Sequence, residues 1–205
     1  MSNFGKHPDF LVRSASPYNG GPPLGLLREA FVTPNELFFV RNHGNVPRVD
    51  PAHYRLSIGG LVKRPRALSL DELRQNFPKR TLTATLQCAG NRREELIEVA
   101  PIPDELPWGE EAISNAAWAG AALRDVLGEG PAGIAPEARH VAFAGLDDVQ
   151  RQGKTLGFGS SIPIEKALSL EVLLAYEMNG EPLPPAHGFP VRAIVPGYIG
   201  ARSVK

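Results

Sequence analysis

Cysteine is almost absent from this chain: there is one, Cys88, in 205 residues. A lone thiol excludes an internal disulfide and removes the paired cysteines on which structural zinc sites are usually built. An excess of one charge is missing as well, with 22 Lys and Arg set against 22 Asp and Glu. The surface as a whole therefore offers no general attraction to nucleic acid or to an anionic membrane. No apolar run approaches the roughly 20 residues that cross a bilayer as a helix. Met1 to Phe10 hold no apolar stretch and no twin-arginine pattern. The chain as written is therefore expected to be cytoplasmic; one trimmed of an export signal, and so periplasmic, would read the same way.

Glycine and proline are abundant, 21 and 20 residues. That density argues for many short strands joined by turns and against a helical bundle. The length suffices to close one sizeable core. Residues 1–23 read as an irregular N-terminal arm, and 24–205 as one α+β domain with no internal repeat or linker. Leu24 to Phe31 reads as a short helix, 37–41 as a strand, and Tyr54 to Gly60 as a strand with a glycine bend. Ser69 with Glu72 three residues on is a capping box, predicting a helix over 70–77 that stops before Pro78. Residues 81–88 read as a strand, 121–127 as a helix closed by Gly128, 140–144 as a strand, and 163–167 as a helix opened by Pro163. Leu173 to Met178, the pair Asn179-Gly180 and Glu181 to Leu183 read as a hairpin, with 191–195 as a last strand.

The one cysteine closes the run Thr81-Leu-Thr-Ala-Thr-Leu-Gln-Cys88-Ala-Gly-Asn-Arg-Arg93. Leu82, Ala84 and Leu86 alternate with polar neighbours, which puts Cys88 at the end of a half-buried strand. Gly90 and Asn91 turn the chain, and Arg92 and Arg93 bring positive charge toward the sulfur. Nearby cations favour the thiolate, the form that attacks carbon or binds metal. Taken alone, the pattern leaves a buried inert thiol open, since a lone intracellular cysteine is most often a small hydrophobe. A cysteine-nucleophile hydrolase is open too, with His43, Asn42 and His187 available as base and orienting group.

Other segments keep it company. Upstream is Phe38-Phe-Val-Arg-Asn-His-Gly-Asn-Val-Pro47. Downstream come Gly145-Leu-Asp147, Tyr176-Glu-Met-Asn-Gly180, His187-Gly-Phe-Pro-Val-Arg192 and Val195-Pro-Gly-Tyr-Ile-Gly-Ala-Arg-Ser-Val-Lys205. In this order the segments closely resemble the molybdenum-cofactor domain of the sulfite oxidase family, which also holds sulfite dehydrogenases and plant-type nitrate reductases. The resemblance runs from about Phe38 to Lys205. It implies a mixed-sheet α+β molybdopterin-binding fold with short helices and many loops.

The resemblance also implies roles. Cys88 would ligate molybdenum beside the dithiolene sulfurs of molybdopterin, a soft donor for a metal already held by sulfur. Arg41, Arg93 and Trp108 would shape the pocket for a small oxyanion, which guanidinium forks match well; the Leu106-Pro107-Trp108-Gly109 match is the loosest. Arg92 and Arg93 are not ranked without the motif. Arg41, Asn42, His43, Gly44 and Asn45, together with Cys88, Asp147, His187, Arg192, Ser203 and Lys205, would hold the cofactor. A carboxylate such as Asp147 accepts from ring N–H groups, while histidine, arginine, lysine and hydroxyl donors suit a phosphate. His7, His53 and His140 fall in no matching segment.

The implied activity is oxidation of sulfite to sulfate by oxygen-atom transfer. Electrons would go to a separate acceptor such as a cytochrome or oxygen, because no His-Pro-Gly-Gly haem signature is present. Nitrate reduction, oxidation of another reduced-sulfur anion, and an inactive cofactor-binding fragment stand as alternatives. In the family this domain continues past the equivalent of Lys205 and is followed by a β-sandwich domain that forms the dimer. The chain is therefore expected to be a truncated piece, without that domain, of a protein that is a homodimer when whole.

Overall fold

The computed structural model describes residues 4–151 and 153–205. Two strands open the chain, β1 (Leu11–Ala15) and β2 (Tyr18–Gly21), paired antiparallel with a register shift between Val12 and Ser14. An irregular arm is expected here, yet the segment is a hairpin with Tyr18 to Gly21 buried throughout. Gly20 and Val40 exchange two backbone hydrogen bonds, with N···O distances of 2.8 and 3.0 Å, which stitch the hairpin into the domain. Helix α1 (Leu24–Leu27) is a single turn, shorter than the expected stretch to Phe31, because neither a side-chain cap nor a buried face holds it.

Residues 37–41 do not form the expected strand; only Val40 makes a bridge. Side chains satisfy the backbone there instead. Lys6 Nζ donates to the carbonyls of Asn35 (2.6 Å) and Phe38 (2.8 Å), and the Phe39 N–H donates to Ser114 Oγ (3.1 Å). With those groups already paired, no ladder is left to extend.

Strand β3 (Leu56–Ile58) pairs with β4 (Arg66–Leu68) and leads into α2 (Leu70–Asn76). The capping box forms as the sequence predicts: the Glu72 N–H donates to Ser69 Oγ (3.1 Å) and the Ser69 N–H to the Glu72 carboxylate (2.8 Å). Then follow β5 (Lys79–Gln87), α3 (Arg93–Val99), β6 (Ile113–Ala122), α4 (Leu123–Leu127), β7 (His140–Arg151) and β8 (Lys154–Pro163). The last elements are α5 (Ile164–Ala167), β9 (Leu173–Met178), β10 (Glu181–Pro182) and β11 (Arg192–Ile194).

One five-stranded sheet organises the domain, in the order β10–β9–β6–β5 with β11 also on β9. The α+β class is as expected. Among the described residues every strand pairing is antiparallel, so the mixture is of helix with strand and not of strand directions. Both faces of the sheet carry a core. Leu174 and Tyr176 pack on one side with Leu68, Leu73, Phe77 and Val126, while Leu173, Ala175 and Met178 pack on the other with Phe38, Trp108 and Trp118. Alternation along β9 sets Leu173 and Ala175 against Leu174 and Tyr176, and the register shift opposite Ala119 and Gly120, which skips Tyr176, brings Met178 to the same side as Leu173. The second of these cores lies beneath the end of β5, and therefore beneath Cys88.

Strand β6 is the element that sequence reading misses. Its second half, Ala119-Gly-Ala-Ala122, is fully buried between two neighbours, and a Cβ on Gly120 would stand 2.1 Å from the Leu174 carbonyl oxygen. Small residues are demanded there by close packing on both sides, and an alanine run carries none of the β-branched signature of a strand. Helix α3, strand β8 and the continuation of β7 beyond Ala144 are likewise not announced by the sequence.

Candidate functional site

Cys88 follows directly on β5, and its N–H donates to the Ala112 carbonyl (2.9 Å), the last link of the β5–β6 ladder. The chain then turns: the Asn91 N–H returns to the Cys88 carbonyl (3.0 Å) and the Gly90 N–H donates to Cys88 Sγ (3.3 Å). Asn91 Oδ1 accepts from the Ala112 N–H (2.9 Å), pinning the turn to the start of β6. The thiol is thus half-buried, on a rigid strand end, and faces a cavity of about 270 Å³.

Arg92 and Arg93 part company at this turn. Arg92 adopts a left-handed backbone (φ 65°) as the residue before α3, and its side chain pairs outward with Glu95 (2.6 Å). Arg93 points into the cavity, its Nη1 donating to the Leu106 carbonyl (2.9 Å) and pairing with Glu105 (3.2 Å). Its guanidinium lies across Gly90, where a Cβ would stand 2.6 Å from Cζ, so a side chain at 90 would displace it. The tertiary structure ranks the two arginines.

Arg41 completes this wall of the cavity. Its Nη1 donates to the Asn42 carbonyl and to Asn19 Oδ1. Burial draws its pKa below the ordinary value; the neighbouring Cys88 sulfur and Glu105 carboxylate oppose that, and Arg93 adds to it. His43 stacks on Phe158 (centroids 4.3 Å apart, planes at 13°), and both rings line the cavity.

The remaining predicted residues gather at the other end. Asp147 sits in the bulge of β7, where Gly145 to Asp147 stand opposite Phe158 alone. The bulge turns the carboxylate inward: Asp147 is 9% exposed, and its Oδ1 is buried without a hydrogen-bond partner among the described residues. His187 is buried in the single-turn helix Pro185–His187, its Nε2 2.8 Å from Lys6 Nζ and its ring edge-on to Phe38. Arg192 is buried in β11 and donates to the carbonyls of His187 (2.9 Å) and Ser203 (2.8 Å). Ser203 Oγ accepts from the Val195 N–H (3.0 Å). Lys205 donates to Asn42 Oδ1 and to the Ala186 carbonyl (2.6 Å).

These cations crowd one another away from water. Burial holds Arg192 down to about 9 and Lys6 down to about 7, the latter opposed by Glu36. The same burial, reinforced by the mutual repulsion of Lys6, Arg192 and their neighbours, depresses both His187 and Lys205 well below their ordinary values. Gly188 makes the crowding possible: at φ 102°, a Cβ there would stand 2.5 Å from the Lys205 Cβ and 3.0 Å from the Arg192 Cβ.

Four predicted residues lie apart from the cavity wall. Asn42 is buried behind it, its Nδ2 donating to the Tyr18 carbonyl (2.7 Å) and its Oδ1 holding Lys205. Gly44 and Asn45 do not line it either. A Cβ on Gly44 would stand 2.1 Å from the Asp148 carbonyl oxygen, so this glycine lets the loop close on β7; Asn45 is exposed and accepts from Ser16 Oγ (3.2 Å). Trp108 is the clear departure. It is fully buried in the core below β5 and absent from the cavity wall, with its Nε1 unpaired among the described residues. Apolar burial, not exposure to an anion, decides where its indole goes. The structure also brings in residues that no motif flagged: Phe158, Glu105 and Lys6.

The donor set fits a molybdenum–pterin cofactor. Among the described residues no three His, Cys, Asp or Glu side chains converge to hold a metal, and Cys88 offers the one thiol, a soft donor. A buried carboxylate oxygen without a donor suits a ring N–H, and a cluster of buried cations that depress one another suits an anion.

Comparison with known proteins identifies the family. The family described as oxidoreductase molybdopterin binding domain matches residues 43–205. The chain is 54% identical over 205 residues to a sulfite oxidase of Gallus gallus, covering 98% of this chain and 43% of that protein. It is 47% identical over 195 residues to nitrate reductase [NADH] 1 of Oryza sativa subsp. japonica, covering 92% of this chain and 21% of the relative. The crystal structure of the sulfane dehydrogenase SoxCD from Paracoccus pantotrophus superposes with a TM-score of 0.77 at 31% identity, covering 94% of this chain and 46% of that one. The chain thus spans less than half the length of each of these relatives. It belongs to the oxidoreductase molybdopterin-binding domain family.

Proposed function

We propose that this chain binds a molybdenum–molybdopterin cofactor through Cys88 and serves the oxidation of sulfite to sulfate, with electrons passed to a separate acceptor such as a cytochrome or oxygen. The observation that carries the reading is one cavity with a lone thiol and two inward guanidiniums on one wall, and buried cations with an unpartnered carboxylate oxygen on another. Bound there, the cofactor would supply oxygen-atom transfer and two-electron redox chemistry, which no side chain of this protein can supply.

The chain's own residues would do the rest. Cys88 holds the metal from a strand end whose turn is fixed by Gly90 and Asn91. Arg41 and Arg93 bind the oxygens of the substrate anion and keep positive potential beside the reacting centre. Asp147 accepts from pterin N–H groups, and His187, Arg192, Ser203 and Lys205 face the phosphate end, with Asn42 and Lys6 setting Lys205 and His187 in place. His43 on Phe158 supplies a flat aromatic wall.

Sulfite is preferred to nitrate because identity is higher to the sulfite oxidase than to the nitrate reductase. Metal analysis of the purified protein, followed by paired assays with sulfite and nitrate and an artificial redox partner, tests the reading. Molybdenum near one equivalent with sulfite-dependent turnover is the expected result. Nitrate turnover alone would move the assignment to the nitrate reductases, and a protein that takes up no molybdenum would refute the cofactor assignment.

A further inference from the structure

One group beside the arginine pair has the wrong sign for an oxyanion site. Glu105, from the loop between α3 and β6, lines the same cavity as Cys88, Arg41 and Arg93. Its Oε2 lies 3.2 Å from Arg93 Nη1, and its charge also acts on Arg41. The carboxylate is the more open partner, its side chain 35% exposed against 16% for Arg93. It is therefore the member of the pair that solvent reaches more readily. A carboxylate within ion-pair distance of these guanidiniums meets any incoming oxyanion as a rival for the same N–H donors.

Arg93 does not depend on Glu105 for its place. Its Nη1 also donates to the Leu106 carbonyl at 2.9 Å, and its guanidinium rests over Gly90, where only a missing Cβ leaves room. Removing the carboxylate charge thus leaves the arginine held, with its donors freed for a solute. Glu105 acts on a donor set whose geometry comes from elsewhere.

Resting on the reading that Arg41 and Arg93 hold the substrate, we infer that Glu105 is a specificity-determining residue: an internal anion that competes for Arg93 and weakens retention of doubly charged oxyanions. Coulomb repulsion scales with the product of the charges, so a dianion is penalised about twice as much as a monoanion. Substrate and product here are oxyanions of similar size, and near neutral pH sulfite is partly protonated whereas sulfate is not. A fixed negative charge beside the cation pair therefore weighs more on the product than on the substrate, and speeds its departure.

The test titrates the molybdenum-loaded protein with sulfate and with nitrate by calorimetry at constant ionic strength. Glu105→Gln is compared with the charge-retaining Glu105→Asp and with Glu98→Gln, which removes an exposed charge of α3 outside the cavity. Glu105→Gln is expected to bind sulfate about ten-fold tighter and nitrate about three-fold tighter, with product inhibition by sulfate tightening in step. Glu105→Asp and Glu98→Gln should stay near the wild type. Unchanged sulfate affinity in Glu105→Gln, or an equal gain for both anions, overturns the inference. A protein that turns over sulfite yet ignores the Glu105 substitution sinks this inference alone. A protein that shows the sulfate effect without sulfite turnover keeps it and sinks the functional reading. If neither the wild type nor Glu105→Gln binds sulfate, both fall.

Discussion

Cys88, Arg41 and Lys6 each carry a consequence that can be measured at the scale of one side chain. Replacing the Cys88 sulfur by oxygen exchanges a soft donor for a hard, weakly acidic one, so Cys88→Ser is expected to abolish sulfite turnover, assayed with an artificial redox partner. Full activity in that variant would refute the ligand role. Arg41 is half-buried beside Cys88 and Arg93, so Arg41→Gln removes both a binding contact and charge stabilisation. Its sulfite KM should rise while kcat falls, with kcat/KM down roughly 100-fold, and an unchanged KM would count against contact with substrate. Lys6 makes a pH prediction whose sign can be worked out. Burial lowers its pKa from 10.5 to about 7 in the folded chain. Between those values the unfolded chain binds the proton and the folded one does not, so the Lys6 contribution to stability rises as pH climbs through this window and is lost as pH falls toward 7. Denaturant unfolding at pH 7.5 and 9.5 should show a larger gain for the wild type than for Lys6→Met. Equal gains would show that Lys6 is not desolvated.

At the scale of elements, the local signals divide into those that tertiary packing obeys and those that it overrides. The capping box at Ser69 is a local device, two hydrogen bonds between residues three apart, and it forms where the sequence predicts. Ser69→Ala should cost about 1 kcal/mol and lower the Tm by about 2–4 °C in a thermal melt, with no loss of cofactor. The hairpin at Asn179-Gly180 is equally local: both residues take left-handed backbones (φ 54° and 83°), as a two-residue turn requires. Strand β6 and the hairpin β1–β2 are the opposite case. What makes Ala119 to Ala122 a strand is the pair of neighbours that bury it on both edges, and what orders residues 11–21 is the bridge from Gly20 to Val40. The bulge of β7 belongs here too, since only its pairing with β8 turns Asp147 inward.

For the whole molecule, the cation-lined cavity means that an anion and the fold should stabilise each other. Lys6, His187 and Arg192 lie buried together with the half-buried Lys205 beside them, each with its charged form disfavoured. An anion in their midst favours the protonated forms, so binding and protonation are linked. Protein stripped of cofactor is expected to melt lower than loaded protein, and inorganic phosphate should restore part of the difference. That rescue should be stronger at pH 6.5 than at pH 8.5, because Lys6 loses its charge between them. Scanning calorimetry at the two pH values checks it, and a rescue independent of pH would place the phosphate outside this cluster. Among the described residues no helix is long and apolar enough to cross a membrane.

The sequence by itself determined the features that reside in short runs: the capping box, the Asn-Gly hairpin, the alternation of β5, and the single thiol at its end. It also carried the family resemblance, because several motifs kept their order along the chain. The choice of Arg93 over Arg92 was legible only through the family motif, whereas that Trp108 belongs to the core, and that Lys6, Phe158 and Glu105 join the site, were decided by the tertiary structure alone. The reason is physical: Lys6 and His187 are 181 residues apart in the chain yet 2.8 Å apart in space, and no local pattern encodes a contact made only when the sheet closes.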